Sequence, residues 1–531
     1  MNFIDAISVL SKSSSYAVST ESDLDAALSA IKSDLYVVMP IEEHLFELLE
    51  SIKEDSKKVI FLCGSSGDGK SELLLRAREK FSQTYIKFHL DATHSFAPHD
   101  SAVDTLNKLF DEYEVGSHSL VIAINIGMLG NYAAEAKNKE IGSILRKYLE
   151  EKQASDGYEF LSFEDYPKFK ITEDGYEAEF VTKLLARITA PNSLLYKSYI
   201  AQIANKNNTS QQQMKLVNYK LLCDQNIQKV IVELLFKIRL FNNQFITARN
   251  FLDFIYELIC GKKYLFDNLF GESSNELLEK IRDFDPILLR TKSIDRFIIS
   301  FELNTKNDRF EEYKKYLQDS LNIERLDNAT SYIRLFYLLK FSIISNDYHL
   351  DFKDDFVENL LINYLEVYRH HRYYDADISK PILKNFYSKD LIYAIRNYIN
   401  KKAPYLEEDQ YLISNYGDSQ IISNLKITPN FNEIMNYSHQ QLCAKFNGFL
   451  KIKDHGNMNI TIDINLFELL FKLKSGYRPR KNDRNVVVVL NTIVNRLLVL
   501  ANQSTQITVK TKEQSFRLTV EDEEIEVAGI K

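Results

Sequence analysis

Three glycines, a lysine and a serine between positions 64 and 71 are the residues whose types and spacing prescribe chemistry most directly. They stand in GSSGDGKS, which fits the pattern G-x-x-x-x-G-K-[ST]. Glycine at 64, 67 and 69 lets the backbone take φ > 0 and approach a phosphate chain, so that successive N–H groups point at its oxygens. The positive end of a following helix adds to that field. Lys70 then supplies a mobile ammonium for the β- and γ-phosphates, and the Ser71 hydroxyl completes the shell of a Mg²⁺ ion that keeps several waters. The expected contacts to ATP and Mg²⁺ run through Gly64, Ser65, Ser66, Gly67, Asp68, Gly69, Lys70, Ser71 and Glu72. A chance match in a glycine turn is the alternative, and the strand and helix that flank the motif argue against it.

Hydrolysis asks for more: a carboxylate to organise the metal, a group to orient water, and positive charge on the transition state. No run of four apolar residues followed by Asp-Glu lies beyond the loop. Asp91, closing YIKFHLD, is the expected metal-organising acid, against the alternative of a cap on the following loop. Glu164 and Asp165 form a second candidate acid pair, but their position before Pro167 suits the end of a strand. His89, Asp91 and His94 match none of the usual zinc spacings. Asn125, closing SLVIAIN, resembles the polar sensor of AAA+ ATPases, which sits between the γ-phosphate and the attacking water; the alternative is a satisfied turn amide. Arg249, in the first turn of the helix expected in ITARNFLDFI, resembles the second sensor of AAA+ lids, whose guanidinium reaches back to the γ-phosphate. A surface arginine is the plainer reading.

These groups need a frame. Val59 to Cys63 is a continuous apolar run, as a buried strand requires, and Leu73, Leu74, Ala77 and Phe81 follow at helical spacing. Tyr85 to Asp91 alternates, residues 92–113 read as loop followed by helix, and Ser119 to Gly127 is again apolar throughout. Strand, helix, strand, helix, strand predicts a doubly wound parallel sheet with right-handed crossovers. Ligands bind at the carboxyl ends of such strands, which would bring Asp91 and Asn125 near the phosphates. Tyr158 to Phe163 is a further candidate strand, and NKNNTSQQQ (205–213) reads as a surface loop or linker. Upstream, residues 2–50 read as helical pieces ending in a helix with Leu45, Phe46, Leu49 and Ile52 at helical spacing. In AAA+ proteins a segment in this place closes over the adenine.

Downstream of Val230 the pattern is helical, with Phe251, Leu252, Ile255, Leu258 and Ile259 on one side of the helix that starts near Thr247. Residues 300–440 carry amphipathic helices rich in Tyr and Phe, such as 331–344 and 358–369, with no fixed repeat. The last section reads as a hairpin around Asp454 to Asn457, a helix through Leu473, a basic loop, a helix from Asn485 to Leu500, and two or three strands from Gln506. The expected fold is an α/β P-loop NTPase core, AAA+-like, followed by a large α-helical region and a small C-terminal α+β domain. The expected segments are 1–55 (N-terminal helices), 56–240 (ATPase core), 241–300 (helical lid), 301–440 (helical interaction region) and 441–531 (α+β domain).

Composition bounds the rest. With 16 Gly and 9 Pro in 531 residues the chain should be mostly helical, and a formal net charge of −8 argues against a surface that attracts nucleic acid everywhere. Local patches remain: Lys472, Lys474, Arg478, Arg480, Lys481 and Arg484 around Tyr477, and Arg369, His370, His371 and Arg372 among tyrosines. Either could be no more than a solvated face. Cys63, Cys223, Cys260 and Cys443 lie far apart, which favours reduced thiols over disulfides or zinc. The N-terminus lacks the pattern of a signal peptide, and no apolar run approaches the length of a membrane helix, so a cytoplasmic protein is expected.

FLCGSSGDGKSE, HLDATHSFAPHDSA, INIGMLGNY and FLSFEDYPKF, with LFELLFKLKSGYRPRKNDRN near the C-terminus, together resemble the DptF family of DNA phosphorothioation-dependent restriction proteins. The resemblance covers the N-terminal half and this C-terminal block. It implies a bacterial defence component that acts with two companion proteins, one of them a helicase-like ATPase, against DNA lacking backbone sulfur. Nucleotide-driven assembly or DNA handling within that complex would be this chain's part. A nucleotide-gated scaffold with little turnover is the other expectation, favoured by the missing Asp-Glu pair, and no HNH or metal-nuclease pattern is present.

Overall fold

The computed structural model describes residues 2–11, 26–54, 56–81, 85–90, 92, 101–205, 207–342, 344–438, 444–504, 506–511, 513–521 and 524–530. The chain forms two compact units. One comprises Met1–Phe169, Ala178–Ile238 and Gln244–Val357; the other comprises Lys170–Glu177, Arg239–Asn243 and Glu358–Lys531.

The first unit is built on β1 (Val59–Gly64), β2 (Ile86–His89), β3 (Ser119–Asn125) and β4 (Tyr158–Ser162). All pairings are parallel and the order is β2-β3-β1-β4. Successive side chains of a strand point to opposite faces, and here both faces are buried. Val59, Phe61, Cys63, Leu120, Ile122 and Ile124 enter one core with residues of the helices Ala102–Val115, Ile126–Glu135 and Lys139–Glu151. Ile60, Leu62, Val121 and Ala123 enter the other, with Leu73, Leu74 and Ala77 of the helix Lys70–Lys80 and Ile41, Leu45 and Leu49 of the helix Pro40–Glu50. A strand buried on both faces has no polar side to show, which is why β1 and β3 read as unbroken apolar runs. The fold is therefore α/β around a parallel sheet, with many further helices.

Two sequence expectations are corrected. NKNNTSQQQ is not all loop: a helix spans Ser210–Leu222, its start fixed by a capping box in which Thr209 accepts from Gln212 N–H and the Gln212 side chain accepts from Thr209 N–H. Residues 301–440 are not all helical either, since β7 (Gln410–Asn415), β8 (Ser419–Asn424) and β9 (Ile427–Pro429) lie within them. That stretch is also divided between the two units at Val357 and Glu358.

In the second unit β5 (Lys170–Ile171) pairs with β6 (Tyr176–Glu177). β10 (Lys445–Ile452) and β11 (Gly456–Asp463) form the expected hairpin, with Asp454 and Gly456 at positive φ in its turn, and β9 joins β10. β12 (Gln506–Thr511), β13 (Ser515–Glu521) and β14 (Glu524–Ile530) complete a five-stranded sheet of order β14-β13-β12-β8-β7. Between them the helix Arg484–Asn502 buries Leu490, Ile493, Val494, Leu497 and Ala501. Among the described residues this is one helix long and apolar enough, by length and composition, to cross a membrane. Asn491, Thr492, Asn495 and Arg496 interrupt it, so it is not an unbroken apolar run.

The expected patch Arg369 to Arg372 is not a basic surface. His371 is fully buried, Arg369 donates from Nη1 to the Glu173 carbonyl at 2.8 Å, and Arg372 is half-buried. His371 Nδ1 lies 2.8 Å from the Val367 carbonyl, which can only accept, so Nδ1 carries the proton and Nε2 accepts from the Tyr387 hydroxyl at 3.1 Å. Burial holds the imidazole pKa down to about 4. An unfolded histidine titrates near 6.5, so between that pH and about 4 the unfolded chain binds a proton that the folded unit refuses. Stability from this group is complete above pH 6.5 and falls by about 3 kcal/mol as pH drops to 4. NMR titration of the His371 ring should find it neutral at pH 5.5, and a midpoint near 6.5 would contradict this.

Candidate functional site

The Gly64–Ser71 loop leaves the carboxyl end of β1 and enters the helix Lys70–Lys80. Gly67 and Gly69 stand at φ +84° and +97°. At Gly67 a side chain would be blocked as well as strained, since a Cβ would lie 3.2 Å from both Arg249 Cβ and Thr247 Oγ1. Asp68 braces the loop from within: its Oδ2 accepts from Ser65 N–H at 2.7 Å, and its Oδ1 meets Lys168 Nζ at 2.7 Å. Lys168 and Asp68 are only 14% and 10% exposed, so solvent screens this pair weakly. Lys70 folds back over the loop, donating to the carbonyls of Gly64 at 3.2 Å and Ser65 at 2.8 Å.

Neighbouring strands and a distant helix complete the surroundings. The Ser71 hydroxyl donates to the carbonyl of Leu90, just beyond β2, at 3.2 Å. Asn125 lies beside Gly64 in the β1–β3 register, and its Oδ1 accepts from Met128 N–H at 2.6 Å, capping the helix Ile126–Glu135. Arg249 is the second residue of the helix Ala248–Cys260, which Thr247 caps, and its N–H reaches the Gly67 carbonyl at 3.4 Å.

A cavity of about 720 Å³ opens between these parts. Ser66, Gly67, Asp68, Gly69, Lys70, Ser71, Glu72, Asn125 and Arg249 line it, so most residues expected to act on a nucleotide converge on one space. Gly64 and Ser65 do not line it, and their carbonyls accept from Lys70, which does. The remaining wall is largely apolar, with Val9, Leu10, Val37, Met39, Phe180 and Leu252. A polar edge carries Tyr36, whose hydroxyl donates to Glu42 Oε2 at 2.6 Å and whose ring lies 3.3 Å under the Arg76 guanidinium. Burial and the adjoining Glu42 carboxylate push the Tyr36 phenol far up, so it stays a donor.

Asp91, the expected metal-organising acid, lies outside the described residues, as do His94 and Cys443. Glu164 and Asp165 are exposed in the short turn after β4, and it is Phe163 of that turn that lines the cavity. Burial raises the thiols of Cys63, Cys223 and Cys260 to about 12, 12 and 11, which leaves them protonated and unreactive at neutral pH. Among the described residues no group of three or more His, Cys, Asp or Glu could hold a metal ion. In the other unit Arg478, Arg480, Lys481 and Arg484 are exposed around one turn, whereas Lys472 pairs with Glu468 at 2.8 Å and Lys474 with Asp390 at 2.7 Å.

The Asp68–Lys168 pair, Thr247 and the Tyr36–Glu42 edge escaped the sequence reading. No spacing rule links positions 100 residues apart, as Asp68 and Lys168 are. Lys168→Ala should destabilise the first unit by about 3 kcal/mol, because a nearly buried carboxylate loses its cation. Adding Asp68→Asn should restore part of that loss in denaturant unfolding; additive losses would show that the pair is not coupled.

No family model matches the chain, and no curated protein matches it at a significant level.

Proposed function

We propose that the first unit binds Mg·ATP at the Gly64–Ser71 loop and hydrolyses it, as the ATPase of a bacterial DNA phosphorothioation-dependent restriction complex. The observation that carries the nucleotide reading is the meeting of four features at one end of a parallel sheet. Gly67 and Gly69 sit at positive φ, Lys70 and Ser71 open a helix, Asn125 closes the adjoining strand, and Arg249 approaches from a separate helix, all around one cavity. Phosphates belong at the loop amides and helix start, and the base belongs against the apolar wall.

Lys70 would leave the carbonyls of Gly64 and Ser65 for the β- and γ-phosphates, and Ser71 would exchange the Leu90 carbonyl for the metal. Asn125 has its oxygen committed to Met128, which leaves its amide N–H₂ as the donor available toward a γ-phosphate or water. Arg249 would supply charge to the transition state. The companion restriction proteins are the expected partners, by the DptF resemblance, and DNA is proposed at Arg478, Arg480, Lys481 and Arg484.

One observation favours the second reading, a nucleotide-gated scaffold with little turnover. Each described carboxylate of the cavity wall is already engaged: Asp68 by Lys168, Glu72 by Lys32 and Arg76, and Glu42 by Tyr36. Metal and water chemistry would then rest on Asp91. ATP hydrolysis by the wild type, alone and with DNA and the companion proteins, should disappear in Lys70→Ala and in Asp91→Ala. Tight ATP binding without turnover in every mixture would leave the scaffold reading, and no nucleotide binding at all would sink both.

A further inference from the structure

We propose that two copies of this chain pair through the outer edges of β14 about a two-fold axis, joining two five-stranded sheets into one of ten. This concerns the second unit and is independent of nucleotide binding.

β14 pairs with β13 through seven consecutive residue pairs without a bulge, and among the described residues no strand occupies its other edge. Exposed edges are usually blunted by charged side chains, lysine above all, by proline or by a bulge. EIEVAGI, residues 524–530, has no lysine, proline or bulge, and its two charges, Glu524 and Glu526, lie on the face opposite Ile525 and Val527. Residues directly opposite in an antiparallel pair share a face. The registers therefore put Ile507, Leu518 and Val527 in one row and Val509 and Phe516 in the next, with Ile525 on the same face. None of these six is buried, and Ile525 and Val527 are 67% and 63% exposed. The sheet thus ends in an apolar face whose outermost strand is also its most open.

Charge then selects the occupant and the register. Two-fold pairing centred on residue 525 sets Glu524 against Glu526, and centring on 526 sets Glu526 against itself. Like charges directly opposite are destabilising. Centring between two residues would place the apolar face of one copy beside the polar face of the other. Centring on Val527 avoids all three faults and pairs the whole strand. Val527 then meets itself, Glu526 meets Ala528, and Ile525 lies beside Gly529, where a Cβ would find nothing within 4 Å. The space at Gly529 takes the bulk of Ile525 from the other copy. One strand edge buries less than a standard interface of roughly 1,200–2,000 Å², so the dimer dissociates on dilution.

Sedimentation of the full chain should show a reversible monomer–dimer equilibrium. Val527→Lys and Val527→Glu, each placing like charges across the axis, should be monomeric while keeping the circular dichroism and melting curve of the wild type. An equimolar mixture of the two should dimerise again, because lysine then faces glutamate; an interface away from the axis predicts no such rescue. A wild type that is monomeric at about 100 μM, well above the micromolar range expected for so small an interface, overturns the proposal. So do variants that dimerise as the wild type does, or a mixture that stays monomeric.

Discussion

Lys70→Ala should lose ATP by about 30- to 150-fold in Kd, the equivalent of roughly 2–3 kcal/mol for the charge-assisted bonds that an ammonium makes to phosphate oxygens. Hydrolysis should fall by roughly a further hundredfold or more, since charge that develops in the transition state loses a preorganised cation. Folding should be nearly unaffected. In the structure Lys70 bonds to the carbonyls of Gly64 and Ser65, and both can turn to water when the side chain is gone. Isothermal titration with a non-hydrolysable ATP analogue, beside a thermal melt, separates the two effects. Equal binding by wild type and variant would mean that the loop does not hold phosphate. Lys70→Arg should rescue little, because a planar fork does not replace a compact ammonium in a loop shaped around it.

The largest expected loss of stability lies in the same unit but away from the cavity. Arg334, on the helix Ala329–Leu338, reaches Asp267 at 2.9 Å and Asp285 at 2.5 Å, and Ser331 donates to the other oxygen of Asp267 at 2.7 Å. The three charged side chains are only 16%, 9% and 10% exposed. Arg334→Ala strands two carboxylates in a poorly hydrated place, at a cost of about 3–5 kcal/mol. Arg334→Lys should fall between, since one ammonium cannot serve both carboxylates with the five donors of a guanidinium. Denaturant unfolding of both variants at pH 7 reads both statements, and an Arg334→Ala deficit below about 1 kcal/mol would show that the two ion pairs contribute little.

Where local pattern decides structure, the sequence was a good guide. β1, the Gly64–Ser71 loop and the following helix are contiguous, and their apolar periods and glycines carry the information within a few residues. The hairpin of β10 and β11 is legible for the same reason, its turn marked by Asp454 and Gly456 at positive φ. The start of the helix Ser210–Leu222 was missed: the Thr209 and Gln212 capping box is present in the sequence, but the polar run around it resembles a loop. β7 and β8 were harder. QYLISN and SQIISN are short and half polar, and β8 is held by β12, far along the chain, as in the pairing of Ile421 with Val509. Nothing local marks them as strands.

By itself the sequence determined which residues this protein brings to the candidate site from one stretch of chain: a glycine loop, one lysine and one serine at set spacing between a strand and a helix. Tertiary structure alone decided what surrounds them. Arg249 comes to Gly67, Lys168 to Asp68, and Tyr36 with Glu42 to the cavity edge, across separations that no spacing pattern spans. Such contacts arise from how helices pack on a buried sheet. Packing depends on the summed fit of many side chains, and that sum leaves no periodic mark in the chain.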